Sequence, residues 1–554
     1  METMITDVVR ELYDVDVTPV LSRPESQFGD FATNVALQLA KQVGKNPREI
    51  AEAVAEKLRD NQDFAEVSIA GPGFINIRLS GPALIRQVYT RPTTPFAEQN
   101  IVFEYSCPNA FKELHTGHLY QTIYGDIVSR LLLVGGAKLT RTSFGGDVGL
   151  HVAKCLWGMR QALGGDDPSR LDAVADDAFE RARWISQCYV EGAKVYEEDP
   201  ASRIEIDELN KTIYGWHDSD NHSEPLAQVY CATRQCSFDY FDAFYELIDV
   251  EKLRYYPESA TAPVGLKIVR EQLKKGNLKQ SDGAVVFEGD ESKHLHTRVF
   301  ITSKGLPTYE TKDIGVIWME KADYDFDHRY LLTGNDQKEY MRVVFAAAET
   351  FRPELSDMMT HLTNGTVRFG DGKKMSSRLG NVSRAIDVIE AVREKVADLV
   401  TDPELHETVA LGAVKYAFAR YRLGGDINFD LDETVSLQGN SGPYLQYAHA
   451  RARRIIEKSS EQFVMPTELH DEDRDLVRKL GEYHAVVDAA TRQLEPHHIC
   501  NYLFELAQEF NRYYEQNQVI GSEHEQHRLG LVSLYADILK AGLAILGIHA
   551  PDKM

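Results

Sequence analysis

Between residues 31 and 45, FATNVALQLAKQVGK sets apolar side chains at the three-to-four spacing of an amphipathic helix. Further on, AEVSIAGPGFINIRLS alternates apolar and polar positions, breaks at Gly71-Pro72-Gly73 and alternates again, which predicts two strands joined by a turn. Residues 1–90 thus read as a small α/β unit, and RPTTPFAEQN, with Pro92 and Pro95, as its exit linker. At Ile101 the pattern changes. IVFEYS is a short apolar strand, followed by a polar loop. GHLYQTIYGDIVSRLLLV is then a long helix stopped by Gly135-Gly136. AKLTRT reads as a second strand and SFGGDVG as a glycine-rich loop. Strand, helix and strand in this order predict the βαβ unit of a doubly wound nucleotide-binding fold.

Residues from about 155 to 300 read as a mostly helical insertion with some β structure near its end. The sheet resumes with DFDHRYLLTGND and ends near GDGKKMSSRLGN, and from Ala385 onward nearly everything has helical spacing. The expected organisation is α/β. An N-terminal α/β domain spans 1–95, a Rossmann-type catalytic domain 96–385 with the insertion inside it, and an all-α bundle 386–554. Length agrees with several units, since 554 residues exceed the roughly 250–300 that one core sustains.

Composition narrows the class. Apolar content of 43% and charged content of 26% are those of a soluble globular chain, and no run of about 18 apolar residues predicts a membrane span. The start, METMITDVVRELYDVDV, mixes acids into its apolar residues and does not read as a signal peptide. The six cysteines are scattered, which argues for a reducing cytoplasm rather than a disulfide framework. His217, His222, Cys231 and Cys236 lack the short Cys-x-x-Cys spacing of a zinc knuckle, so they are expected to be ordinary helix residues, and no bound metal site is expected. The net charge of −24 means that any claim of nucleic-acid binding must rest on a located basic patch.

Two segments carry candidate chemistry. In EYSCPNAFKELHTGH, residues 104–118, His115 and His118 flank Gly117 where the loop becomes a helix. A helix start offers N–H groups and a positive dipole end to phosphate. Two imidazoles there can donate to phosphoryl oxygens, and the glycine lets a flat base or ribose approach the backbone. In GDGKKMSSRLGN, residues 370–381, Lys373, Lys374 and Arg378 lie in a Gly/Ser-rich loop able to bring cations to a leaving pyrophosphate. Either segment alone also fits a surface cap or a solvated basic loop; both in this order on a βαβ scaffold make the stronger case.

HTGH resembles the HIGH signature, and KMSSR the KMSKS signature, of class I aminoacyl-tRNA synthetases. SCPNAFKELHTGHLYQTIYGD and GDFATNVALQLAK are similar to segments of the arginyl branch, as are GNSGPYLQYAHARARRI and LGIHAPDKM, so the resemblance spans the chain. It implies that an amino-acid carboxylate is joined to the α-phosphate of ATP and then transferred to the terminal adenosine of tRNA(Arg). ATP would bring its Mg²⁺, which usually keeps waters and phosphates as ligands. The expected substrates are L-arginine, ATP and tRNA(Arg), and the expected state a monomer. His115, Gly117, His118, Met375, Ser376 and Arg378 would meet ATP. His115, His118, Lys112 and Lys374 would carry the catalysis. The pattern departs from KMSKS at Ser377, with Arg378 following, and at Leu379, where many arginyl enzymes have lysine. Lys112, just before HTGH, is expected to share the cationic task with Lys374.

A guanidinium is a planar fork of donors and needs acceptors around it. Glu104 ends the first strand, where ligands bind in doubly wound sheets. Tyr309 and Asp313 are four apart in LPTYETKDIG and share a face in a helical turn, although an exposed surface turn fits them too. The resemblance assigns Glu104, Tyr309 and Asp313 to the arginine side chain, and Asn109 and Gln337 to its α-amino and carboxylate groups. Lysine would also suit an acidic pocket; the flanking segments distinguish the two.

Ser441 or Gly442, followed by Pro443, predicts a helix start, with Tyr444, Tyr447, Arg451 and Arg454 following on one face. Aromatic and arginine planes read unpaired bases, but the same pattern suits tyrosines in a core and arginines in water. By resemblance this helix, Tyr514 and Met554 would face the anticodon loop, with Tyr513 adjacent to Tyr514. Phe28 and Asn34 would contact the outer corner of the tRNA, while Phe31 fits a core equally well.

Overall fold

The computed structural model describes residues 1–369 and 384–554. The first unit runs α1 (Glu2–Tyr13), β1 (Leu21–Ser22), β2 (Phe31–Thr33), α2 (Val35–Val43), α3 (Pro47–Arg59), β3 (Phe64–Ala70), β4 (Phe74–Leu79) and α4 (Gly81–Val88). Its sheet is antiparallel in the order β1-β2-β4-β3. Asn46 accepts from the Arg48 N–H and Pro47 opens α3, a favoured pairing of cap and first turn. Ile5, Val9, Leu39, Ile50 and Val54 bury one stripe of each helix in the core that holds Ile75 and Ile77 of β4.

The second unit is built on β5 (Asn100–Glu104), α5 (Thr116–Val134) and β6 (Lys138–Gly145). A helical bundle follows: α6 (Leu150–Leu163), α7 (Ala178–Glu198), α8 (Pro200–Ser219) and α9 (Pro225–Leu247). The chain continues through β7 (Arg254–Pro257), α10 (Glu258–Lys275), β8 (Lys279–Ser281), β9 (Ala284–Phe287) and β10 (Arg298–Ile301). It closes with α11 (Tyr309–Tyr324), β11 (His328–Gly334), α12 (Lys338–Phe351), β12 (Met359–Asn364) and β13 (Val367–Phe369). Five strands form a parallel sheet in the order β12-β11-β5-β6-β7. From β5 the chain moves outward one way, then returns to β11 and moves outward the other way. The crevice between the C-terminal ends of β5 and β11 is therefore the topological switch point, where such sheets take ligands. Helix α5 is buried nearly all round, as a central helix must be. It lies so close to the end of β5 that a Cβ at Gly125 would fall 2.2 Å from the Tyr105 ring.

The third unit holds α13 (Ala385–Leu399), α14 (His406–Ala419), β14 (Ile427–Phe429), α15 (Leu431–Thr434) and α16 (Gly442–Lys458). It ends with α17 (Arg474–Leu480), α18 (Tyr483–Gln493), α19 (His497–Gln516) and α20 (Glu525–Ile545). Two expectations change. The segment read as an insertion from about 155 to 300 is interrupted by β7, which returns to the parallel sheet as its edge strand, so the helical excursion is α6–α9. The run read as all helix contains β14, which pairs in parallel with β13. Both strands are too short to show a period in sequence.

Two polar junctions tie the units. Asp30, buried at 2% exposure, accepts from Arg474 at 2.6 Å and lies 3.5 Å from Arg478, so α17 grips the first unit. Lys415 of α14, also 2% exposed, donates to the Gly547 carbonyl at 2.8 Å and the Asp249 carbonyl at 3.0 Å. The Gly547 backbone sits against Asp126 and Arg130 of α5, which pair with each other at 2.7 Å. Beyond it, His549 accepts from Gln446 at 2.7 Å and Pro551 pairs with His449 at 2.9 Å, laying the terminal segment along α16.

Truncating Asp30 to Ala leaves two half-buried guanidinium groups without their carboxylate. The expected loss is about 3–5 kcal/mol. It should appear as an earlier melting transition and faster protease cleavage in the 89–99 connector; wild-type melting and cleavage would show that the contact carries no load.

Candidate active site

The cleft at the switch point has a volume of about 660 Å³. Its floor is a buried ion triad. Arg329 of β11, 1% exposed, pairs with Glu104 at the end of β5 and donates to Glu320 of α11 at 2.6 Å. Thr142 donates to the other Glu320 oxygen at 2.6 Å. Two carboxylates thus face one cation, and burial raises the Glu104 carboxyl to about 8 against the pull of Arg329. Glu104 lines the cleft with its Oε2 committed to Arg329. Among the described residues Oε1 meets only the weak Cys107 thiol donor, at 3.6 Å.

Tyr309 and Asp313 occupy successive turns of α11, and both line the cleft. Tyr309 is 63% exposed, whereas Asp313 is 7% exposed and accepts a hydrogen bond from the Tyr340 hydroxyl of α12. Burial raises Asp313 to about 7, opposed by Tyr340 and Arg329. Beside them the buried Lys312 donates to the buried Glu258 at 2.5 Å. Glu258, Lys312, Arg329 and Tyr340 were not singled out from sequence. Arg329 had a signal: one arginine inside an otherwise apolar strand needs buried acids. Asn109 and Gln337 also line the cleft. Asn109 accepts from the Gly146 N–H at 3.1 Å, and Gln337 ends a 3₁₀ turn, where it donates to Asp336 at 3.0 Å.

At the other end of the cleft His115 caps α5. Its Nδ1 accepts from the N–H of Gly117 at 3.0 Å and of His118 at 3.3 Å, while Nδ1 of His118 accepts from the His115 N–H at 3.3 Å. The two rings stack at 3.7 Å. The sequence reading expected open N–H groups here; instead the first turn is closed by its own histidines. The consequence is chemical. With both Nδ1 atoms accepting, each neutral ring carries its proton on Nε2 and can donate from there. Desolvation, then His115, then Lys112 lower His118 well below its usual range; desolvation, then Lys112, lowers His115. These are neutral donors, not cations. Lys112 itself lies over the Tyr189 ring of α7 at 4.1 Å.

The loop from β5 to α5 is held under strain. Ser106, Cys107 and Phe111 are left-handed without being glycine, at φ +69°, +46° and +68°, conformations costing on the order of 1–3 kcal/mol each. Helix α9 supplies the restraint. The Tyr245 hydroxyl lies 2.9 Å from Ser106, Ser237 accepts from the Phe111 N–H at 3.1 Å, and the Tyr240 hydroxyl accepts from the Leu114 N–H at 3.2 Å. Arg384 forms a bridge with His115 and so lies beside the histidines. Lys373, Lys374, Met375, Ser376, Ser377, Arg378 and Leu379 lie outside the described residues.

In the third unit Ser441 is the cap of α16, accepting from the Tyr444 N–H at 3.2 Å. Asn511 joins Tyr444 and Arg451, donating to one at 3.0 Å and accepting from the other at 3.1 Å. Arg451 lies over the Tyr514 ring at 5.1 Å. Tyr513 is instead buried, donating to Asp473 at 2.8 Å. Tyr447 is exposed, and Met554 packs at the edge of the core. In the first unit Phe28 is exposed and Asn34 precedes α2 with a buried side-chain oxygen that has no hydrogen-bond partner among the described residues. Phe31 packs under the Arg23 guanidinium at 4.5 Å. His217 pairs with the Tyr230 hydroxyl at 2.8 Å and lies 5.1 Å, ring to ring, from His222; Cys231 and Cys236 are free thiols.

Residues 83–419 match the family described as "tRNA synthetases class I (R), catalytic domain". A doubly wound sheet with paired histidines at its switch point is thus the catalytic unit of a class I tRNA synthetase. Residues 1–79 match "Arginyl tRNA synthetase N terminal domain" and 445–554 match "DALR anticodon binding domain". The chain is 31% identical to an arginine–tRNA ligase of Thermobifida fusca, over 97% of this chain and 96% of that one. It is 30% identical to an arginine–tRNA ligase of Shewanella loihica, over 95% and 93%. The fold superposes on the arginyl-tRNA synthetase of Thermus thermophilus with a TM-score of 0.80 at 23% identity, covering 100% of this chain and 99% of that chain. The chain belongs to the arginine–tRNA ligase family.

Replacing Arg329 by Met should leave the buried Glu320 without its cation and cost about 3–5 kcal/mol near neutral pH. The deficit should shrink on acidification, because protonation removes the stranded charge. Melting curves at several pH values test this; a pH-independent deficit would mean lost packing rather than lost charge.

Proposed function

We infer that this protein activates L-arginine with MgATP, forming arginyl-adenylate and pyrophosphate, and passes the arginyl group to the 3′-terminal adenosine of tRNA(Arg). The observation that carries the amino-acid choice is the acid end of the cleft, where Glu104 and Asp313 are buried with too few donors. A guanidinium supplies the missing donors and charge. Asp313 is the larger free share, because Glu104 already serves Arg329. Tyr309 covers the side chain, and Asn109 and Gln337 hold the α-amino and carboxylate groups.

His115 and His118 donate from Nε2 to phosphoryl oxygens as the α-phosphate becomes crowded, with Gly117 admitting the nucleotide between them. Lys112, Lys374 and Arg378 neutralise the leaving pyrophosphate, and Met375 and Ser376 line the nucleotide. Tyr444, Tyr447, Arg451, Tyr514 and Met554 meet the anticodon loop, whose bases stack on such side chains. Phe28 and Asn34 meet the outer corner of the tRNA. The enzyme works as a monomer in the cytoplasm, and adenylate formation waits for tRNA. Pyrophosphate exchange over all twenty amino acids, with and without tRNA, tests the whole reading. Arginine alone, and only with tRNA, is expected; exchange with another amino acid, or none at all, overturns it.

Arginine binding should strengthen as pH rises. Carboxyls raised to about 7 and about 8 hold protons that a guanidinium must expel. Affinity should therefore increase between about pH 6 and 8, then level, with proton release seen by calorimetry in buffers of different ionisation enthalpy. Asp313→Asn removes the charge but not the size. Apparent arginine affinity should fall roughly 30-fold or more, with discrimination against neutral citrulline weakened. An unchanged KM and unchanged citrulline inhibition would exclude Asp313 from the pocket. His118→Ala should lower kcat about 10²-fold or more with little change in arginine binding. Normal adenylation by the folded variant would refute that role.

A further inference from the structure

Far along the chain from the cleft, two three-residue steps meet at one corner of the helical unit. His470 and Asp473 flank a 3₁₀ turn that leads into α17, and His524 and His527 stand at the start of α20. Ligand atoms of His470, Asp473 and His527 all lie within 4.8 Å of one another. His527 Nε2 is 2.7 Å from Oδ2 of Asp473, and the His470 ring is 4.6 Å from the rings of both His524 and His527. Asp473 is 1% exposed, and its other oxygen accepts from the buried Tyr513 hydroxyl at 2.8 Å.

We propose that His470, Asp473 and His527 bind one transition-metal dication of the zinc class, leaving its fourth position to water. The donors suit it: imidazole nitrogens with one carboxylate oxygen, at bonds of about 2.0–2.2 Å and hence roughly 3.3 Å apart around a tetrahedron. The ligand atoms, now within 4.8 Å of one another, draw together when the ion binds. His527 would coordinate through Nε2 and keep its proton on Nδ1. Tyr513 fixes the carboxylate from behind, the outer-shell support such ligands usually have. Asp471, Glu472, Glu523 and Glu525 are sequence neighbours of these ligands, although Glu472 pairs with Arg528 at 3.1 Å and Glu525 accepts from Ser459 and the Gly521 N–H. The ion would clamp α17 to α20, and α17 is the helix whose Arg474 and Arg478 hold Asp30. Glu495, His497 and His498 make a second cluster, but those residues belong to one helix start, and Glu495 already serves Arg422 at 3.0 Å.

The test uses the full-length protein stripped with a chelator and titrated with Zn²⁺ by calorimetry and with Co²⁺ by absorption. One equivalent with a tetrahedral Co²⁺ spectrum and a raised melting temperature is expected. His470→Gln and His527→Gln should each weaken binding by at least about tenfold, whereas His498→Ala should not. His470 is half-exposed, so its variant remains informative if His527→Gln fails to fold. No bound equivalent, affinity unchanged in His470→Gln, or a loss caused by His498→Ala would each overturn the assignment.

Discussion

A single buried guanidinium underlies the cleft. Arg329 cannot shed its charge, so the fold must bring acids to it, and it brings Glu104 and Glu320 from two different elements. The acids are one more than the cation needs. The surplus acid, Glu104, faces the crevice between β5 and β11, where Asp313 is a second buried carboxyl. The protein therefore uses an arginine of its own to hold a buried carboxyl, Glu104, at the cleft. Desolvation sets the limit of this device: without a guest, Glu104 and Asp313 are driven toward the neutral form.

The rigidity of that corner is assembled from a distance. The loop after β5 carries three left-handed non-glycine residues, and it keeps them because hydroxyls of α9 occupy its backbone donors and the Ser106 side chain. The excursion α6–α9 thus does more than fill space between β6 and β7. It is the frame against which the paired histidines are aimed, and it also supplies Tyr189 beneath Lys112.

Much of this was legible in the sequence, for identifiable reasons. The apolar run IVF at β5, the glycines ending α5 and the alternation across Gly71-Pro72-Gly73 are strong local signals, and each maps to its element. The share of a face between Tyr309 and Asp313 followed from helical spacing. Strands β7 and β14 were not legible, since three or four residues show no period and their pairing is entirely long-range. Glu258, Lys312 and Tyr340 were missed because buried polar pairs across elements leave no local pattern. The self-capping of α5 was missed for another reason: histidine is an unusual cap, and only geometry reveals Nδ1 as the acceptor.

The Lys415 junction has a consequence for synthesis. Its carbonyl partner at Gly547 lies 132 residues further along the chain. While a ribosome is still making that interval, α14 can form and α5 is already present, yet the Lys415 ammonium has only Asp249 to receive it and lacks the Gly547 carbonyl. Burial without that partner is costly, so the junction stays open and hydrated until residues 547–549 emerge. The nascent first and second units can fold in order. The seam joining α5 to the helical unit closes only afterwards, so the distance between the paired histidines and α16 is set once residues 547–549 are in place.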